Sequence, residues 1–161
     1  MIAEFENRQA ANYSKTVARL YGLSLKHKHI PEMTRHAGLS HPPLFEPGVG
    51  RFYRGMLVEV PLALWALPAK PSLTDIHAAL AEAYRGRALV KVIAREESAA
   101  ATTLDAEVMA DTNAMTLHVF GNEAAGQARL VAALDNLGKG AGGAAVQNLN
   151  IMLGLPETQG L

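Results

Sequence analysis

An α+β fold, built on a mixed sheet flanked by helices, follows from three features of this sequence. Its 161 residues are 49% hydrophobic and only 19% charged, which suits a folded domain with a real core rather than disorder. Short stretches that alternate apolar and polar side chains are interleaved with stretches that space apolar residues by three and four, the periods of strand and helix. Glycine and proline punctuate these stretches, and no internal repeat or low-complexity tract interrupts them.

Taken along the chain, Glu4 to about Leu20 reads as a helix with Phe5, Tyr13, Val17 and Leu20 broadly on one side, stopped by Gly22. Leu23 to His29 has strand periodicity, with Leu23, Leu25, His27 and His29 on one face and Ser24, Lys26 and Lys28 on the other. Pro31 suits the first turn of a short helix to Ala37, because its missing N–H would be unpaired there anyway, and Gly38 closes that helix. Residues 41–50 are dense in proline and glycine and form a restricted loop. Met56 to Trp65 reads as a strand in which Val58, Val60 and Leu62 alternate with Leu57, Glu59 and Pro61, and Pro61 favours a sheet edge or the strand's end.

Ser72-Leu73-Thr74-Asp75 supplies capping residues for a helix to Tyr84, with Ile76, Leu80 and Ala83 on its buried side and Gly86 at its end. Strands are predicted at 88–94, 103–109, 115–120 and 127–134. A last helix runs from about Lys139 to Leu153, where Val146, Leu149 and Leu153 keep a spacing of three and four before Gly154.

Fifteen basic and fifteen acidic side chains cancel, so the chain carries no electrostatic footprint for nucleic acid or an anionic membrane surface. No stretch approaches the roughly 18 to 20 apolar residues needed to span a bilayer. The first six residues are acidic where a signal peptide would be basic, and a cytoplasmic location is the expectation. With no cysteine, disulfides, thiolate-bound zinc and thiol catalysis are excluded from within these residues.

Two segments concentrate chemistry. His27-Lys28-His29-Ile30-Pro31-Glu32 puts two imidazoles and a carboxylate within six residues; on an extended chain the two rings share a face about 6.5 to 7 Å apart. A histidine exchanges protons near neutral pH, its ordinary pKa being about 6.5, and a carboxylate can fix its tautomer. The same residues would also suit a His-His-Glu metal site, and the plainer reading is a pair of half-buried histidines satisfied by backbone. Asn136-Leu137-Gly138-Lys139-Gly140-Ala141 is a glycine-rich turn into a helix, where free N–H groups and the helix dipole favour an anion or an amide; its plainer reading is close packing. Arg51, following a restricted loop, has the fork geometry for a carboxylate or phosphate, with Arg54 as competitor and a structural ion pair as the plainer role of either. Asp111-Thr112-Asn113 reads as turn chemistry before a strand, outside the site.

Together with Leu39-Ser40-His41-Pro42-Pro43-Leu44-Phe45, Val49-Gly50-Arg51-Phe52-Tyr53-Arg54-Gly55-Met56 and Thr112-Asn113-Ala114-Met115, these segments resemble the shorter bacterial form of N-acetyl-γ-glutamyl-phosphate reductase, the NADP-dependent acyl-phosphate reductase of arginine biosynthesis. The resemblance implies a largely antiparallel mixed sheet with helices on one face, as in the C-terminal domains of glyceraldehyde-3-phosphate-dehydrogenase-like enzymes. It implies a substrate-binding and dimerisation domain over residues 1–134, a helix at 135–161 that packs on a nucleotide-binding domain, and a homo-oligomer acting on a small acyl phosphate. It also implies that His27 is the catalytic acid/base with Glu32 beside it and no metal, and that Asn136, Lys139 and Gly140 close over the nicotinamide end of NADP; His29, and Arg51 and Arg54 as competing cations, are the candidates for substrate binding.

The chemistry so implied starts with a cysteine thiolate that displaces phosphate to give a thioester; hydride from NADPH gives a thiohemiacetal, which collapses to the aldehyde. This sequence departs from that pattern twice: it has no cysteine, and no Gly-x-Gly-x-x-Gly turn follows an early strand. The expectation is therefore the C-terminal half of such a reductase, inactive alone, with the nucleotide fold and cysteine encoded before Met1. Alternatives are a binding or dimerisation module without catalysis and a metal enzyme using His27, His29 and Glu32. An aldehyde-forming dehydrogenase acting on aspartyl phosphate fits the His-rich motif less well.

Overall fold

A computed structural model describes residues 2–161, which fall into two compact units, one ending at Tyr53 and the other running from Arg54 to Leu161. In the first unit, helix α1 (Ile2–Glu6) is followed by strand β1 (Ala18–Leu20), helix α2 (His29–His36) and strand β2 (Gly48–Gly50), and β1 pairs antiparallel with β2. The helix predicted from Glu4 to Leu20 thus ends at Glu6. Asn7 breaks it: its side-chain oxygen accepts the Gln9 N–H at 3.0 Å while the Ala10 N–H turns back to its carbonyl, a local alternative to helical bonding. The branched pair Thr16-Val17 then leads into β1.

The strand predicted from Leu23 to His29 is absent. Gly22 (φ 65°) and Leu25 (φ 55°) both take left-handed backbone, and the Leu25 N–H bonds the Gly22 carbonyl at 2.9 Å, so the chain turns instead of extending. Helix α2 begins at His29, two residues before Pro31, and still leaves the proline in the first turn where no N–H is required. Gly38 (φ 62°) ends it as expected.

The second unit contains a four-stranded sheet in the order β3-β6-β5-β4, formed by β3 (Met56–Ala63), β4 (Val90–Val92), β5 (Met115–Asn122) and β6 (Gln127–Leu134). β4 and β5 are parallel and the other two pairings antiparallel, the mixed, largely antiparallel sheet that the sequence leads one to expect. Pro61, which lacks a ladder donor, lies on the edge strand β3. A 3₁₀ turn at Leu64–Ala66 replaces the last part of the strand predicted to reach Trp65.

Helix α3 (Leu73–Ala83) packs its Leu73, Ile76 and Leu80 against Leu62, Leu64, Val119, Ala128 and Leu130 to make the core. Its start is fixed by a reciprocal capping box: Ser72 Oγ accepts the Asp75 N–H at 3.1 Å, and Asp75 Oδ2 accepts the Ser72 N–H at 2.9 Å. Gly121 allows the close approach of this helix end, since a Cβ there would lie 2.5 Å from the Leu73 side chain.

Helix α4 (Arg95–Ala100) is not legible in the sequence. Its residues are good helix formers, but Ser98 is the only one buried, so no apolar spacing marks it. The strand predicted at 103–109 is instead a run of turns, with N–H bonds from Val108 to Asp105, Ala110 to Glu107 and Thr112 to Met109. Asp111, at φ 60°, reverses the chain into β5. Burial pushes the pKa of His118 on β5 below the ordinary histidine value, only partly offset by the charge of Glu97, and the ring stacks on Phe120 at 5.5 Å. Ser72→Ala should lower stability by about 1 kcal/mol through loss of the capping box, and Leu73→Ala by about 3 kcal/mol through the cavity left at the core; urea denaturation of the two variants against the parent checks both values and their order.

Candidate active site

In the first unit, the turn found in place of a strand brings the two imidazoles closer than alternation would. The centroids of His27 and His29 are 4.7 Å apart at 67°, and His27 is flanked by Phe45 at 5.0 Å and Tyr21 at 5.9 Å. Phe45 comes from the proline-rich loop, which is pinned where the Tyr21 N–H bonds the Pro47 carbonyl at 3.0 Å. His27 is half-buried, His29 exposed.

The His29 N–H donates to His27 Nδ1 at 3.3 Å. A nitrogen that accepts a hydrogen bond carries no proton, so the neutral ring holds its proton on Nε2. Here a backbone amide, rather than a carboxylate, sets the tautomer. Glu32 is exposed on the first turn of α2, and among the described residues no hydrogen bond or ion pair joins it to His27.

Arg51 is a clamp on the N-terminal segment. Its Nε donates to the Thr16 carbonyl at 3.1 Å, Nη1 to the Phe5 carbonyl at 2.9 Å and Nη2 to the Ser14 carbonyl. The guanidinium lies 5.5 Å from the Phe5 ring and 5.8 Å from that of Tyr13, within cation–π range. It holds together residues that a continuous helix would have held by itself.

In the second unit, the glycine-rich segment winds as a π-helical turn, Gly138–Gly142, before helix α5 (Gly143–Met152). Such wide turns are uncommon and concentrate at functional positions. The Gly140 N–H bonds the Asp135 carbonyl at 2.7 Å and the Gly142 N–H the Leu137 carbonyl at 3.1 Å. Asn136 Oδ1 accepts the Gly55 N–H at 2.8 Å, so one end of its amide is used inside the protein. Lys139 Nζ donates to Gln147 Oε1, and Gln147 passes the chain on to Glu157 at 2.5 Å. Gly140 is exposed.

Arg54 Nη1 stands 3.1 Å from both Asp111 Oδ1 and Asp135 Oδ2. Asp135, which sequence reasoning passes over, is fully buried. It also accepts the N–H groups of Asp111 at 2.7 Å, Leu137 at 2.7 Å and Gly138 at 2.9 Å. Burial pushes its pKa up, but these bonds from Gly138, Leu137, Asp111 and Arg54 outweigh burial and bring it down to about 2. The one local signal is Asp-Asn-Leu-Gly, an Asp whose side chain can cap the next turns.

The segment Asp111-Thr112-Asn113, read from sequence as a plain turn, walls the glycine turn. A Cβ on Gly138 would lie 2.5 Å from the Thr112 carbonyl, and one on Gly143 would collide with the Asn113 side chain. Among the described residues no group of three His, Cys, Asp or Glu side chains could hold a metal ion, and no helix is long and apolar enough to cross a membrane.

The second unit is thus an α+β domain, a mixed sheet backed by helices with a buried carboxylate at its glycine turn, and the first unit carries the imidazole pair. The chain belongs to the semialdehyde dehydrogenase dimerisation-domain family, whose model matches residues 4–136. The N-acetyl-gamma-glutamyl-phosphate reductases of Brucella ovis, Brucella canis and Brucella suis biovar 1 are each 53% identical to it over 154 residues, which is 96% of this chain and 50% of theirs. The chain spans about half the length of these curated relatives.

The shift at Asp135 has a defined sign. A folded-state pKa of about 2 against an ordinary 3.8 means the unfolded chain binds the proton more tightly. Stability from this group is complete above about pH 4 and is lost as pH falls from about 4 towards 2. Denaturation measured at stepped acidic pH should show that decline, and Asp135→Asn should flatten it.

Proposed function

We propose that this chain is the acid/base-bearing and dimer-forming half of a reductase that converts N-acetyl-γ-glutamyl phosphate to the corresponding semialdehyde, with the cysteine and the nucleotide-binding fold supplied by polypeptide outside these 161 residues. The observation that carries the reading is the 53% identity over 96% of the chain to reductases of that name. The absence of cysteine from the sequence is why the nucleophile must come from elsewhere.

Within the first unit, His27 serves as the proton donor. With Nδ1 engaged by the His29 amide, the Nε2–H is the working edge, suited to a developing oxyanion or a departing group. Tyr21 and Phe45 hold the ring's plane. Glu32, exposed on α2, acts through charge at the helix start rather than by fixing the tautomer. His29 and Arg51 favour the substrate's anionic groups, Arg51 while still bonded to backbone carbonyls.

In the second unit, the residues present fit one end of NADP. Gly140 and Gly142 leave bare backbone facing solvent, while Gly138 and Gly143 are set against Thr112 and Asn113. Asn136, Lys139 and Gly140 would hold the nicotinamide end, and Arg54 is the cation beside that turn. When bound, the cofactor supplies hydride. The helix after the turn would pack on the nucleotide-binding domain: Leu149, Ile151, Met152 and Leu153 are all exposed on it or at its end. A homo-oligomer and a cytoplasmic location complete the reading, and the family's name supports the first.

The test compares the chain alone with the chain joined to a cysteine-bearing nucleotide-binding half. The isolated chain should not oxidise NADPH in the presence of acyl phosphate; time-dependent oxidation by a pure sample would overturn the reading. In the joined enzyme His27→Asn should lower turnover on the order of a hundredfold while changing stability by less than about 1 kcal/mol. Unchanged turnover across pH would remove His27 from the mechanism.

A further inference from the structure

We infer that Asp135 is the positioning residue of the glycine-rich turn: its buried carboxylate holds residues 136–143 in the π-wound form that the cofactor contact requires. This rests on the reading of that turn as a nicotinamide contact. A carboxylate fully removed from water is tolerated only when its oxygens are saturated by donors, and the four donors here come from three separate places in the chain. Arg54 precedes β3, Asp111 precedes β5, and Leu137 with Gly138 opens the turn itself.

Each oxygen has its own task. Oδ1 takes both N–H groups of the turn, Leu137 and Gly138, while Oδ2 takes Arg54 and the Asp111 N–H. The side chain therefore joins the glycine turn to two fixed ends of the sheet. The Asp135 carbonyl adds a second hold by accepting the Gly140 N–H at 2.7 Å.

The glycines at 138, 140, 142 and 143 add no side chains to this turn and have the widest choice of backbone angles, so beyond the Asn136 and Lys139 bonds its shape is imposed by its surroundings. The Asp135 carboxylate and the Thr112–Asn113 wall are the groups that impose it. The lowered pKa of the group keeps the clamp charged at every pH where a reductase would work. An asparagine in its place would keep one acceptor oxygen, lose the charge that Arg54 faces, and present an amide N–H₂ to donors.

Two measurements test the assignment. On the 161-residue chain, Asp135→Asn should speed amide hydrogen exchange at 136–143 while leaving β5 and β6 protected; unchanged exchange in the turn overturns the proposal. If that variant does not fold, Arg54→Gln, which removes one donor and leaves three, should give a smaller acceleration in the same amides, and its absence would be equally fatal. In the joined reductase, Asp135→Asn should raise the KM for NADPH on the order of tenfold to a hundredfold with the KM for acyl phosphate unchanged, and Asp135→Glu should recover part of the loss. A variant that lowers kcat alone, or shifts both KM values equally, overturns the positioning role. An inactive parent enzyme would instead refute the reductase reading, and the exchange experiment would still decide whether Asp135 shapes the turn.

Discussion

The buried carboxylate of Asp135 is the constraint on which the glycine-turn end of the second unit depends. It stands at the first residue after β6, so the sheet delivers it to a fixed place, and its four donors are drawn from segments that the sheet also anchors. An uncompensated charge there would destabilise the fold strongly, and each donor is therefore held in place as firmly as it holds. The glycine turn is held by that carboxylate, with Asn136 bonded to the Gly55 N–H and Lys139 to Gln147 beside it.

The first unit solves a similar problem with a cation. Its N-terminal segment forms only a short helix and then wanders through turns, and the Arg51 guanidinium gathers three of its carbonyls while lying over two aromatic rings. Arg51 and Asp135 are complementary devices: a fork of donors collecting carbonyls in one unit, a pair of acceptors collecting amides in the other. Both stabilise irregular backbone that lacks its own ladder of hydrogen bonds.

For the reductase reading, the turn at Gly22–Leu25 matters more than a strand would have. It leads into a second turn, closed where the Ile30 N–H bonds the His27 carbonyl, in which the His29 amide meets His27 Nδ1 and leaves the neutral ring's proton on Nε2 without help from Glu32. A tautomer fixed by backbone is insensitive to the protonation of a neighbouring carboxylate. The chain's 53% identity covers half of each reductase relative, and the proposed division of labour, proton donors and subunit contacts in one region and thiol and nucleotide fold in another, starts from that coverage.

How far the fold is legible depends on how local its causes are. The helix from Leu73 carries its own cap and apolar spacing, and β5 and β6 form a hairpin closed by Gly126, so both are readable from residues close in sequence. Helix α4 leaves no periodic signal because only Ser98 is buried. The Glu4–Leu20 and Leu23–His29 readings fail because a periodic pattern is present while Asn7, Gly22 and Leu25 turn the backbone away from it.

By itself, the sequence determined the α+β class, the family-like histidine motif and the glycine-rich turn, because those depend on composition and on neighbours within a few positions. Tertiary structure alone decided the environment of Arg51 and the buried role of Asp135. The bonds of Arg51, and those of Asp135 to Arg54 and Asp111, join residues 24 to 81 positions apart, and no local pattern can announce a partner that only folding brings within reach.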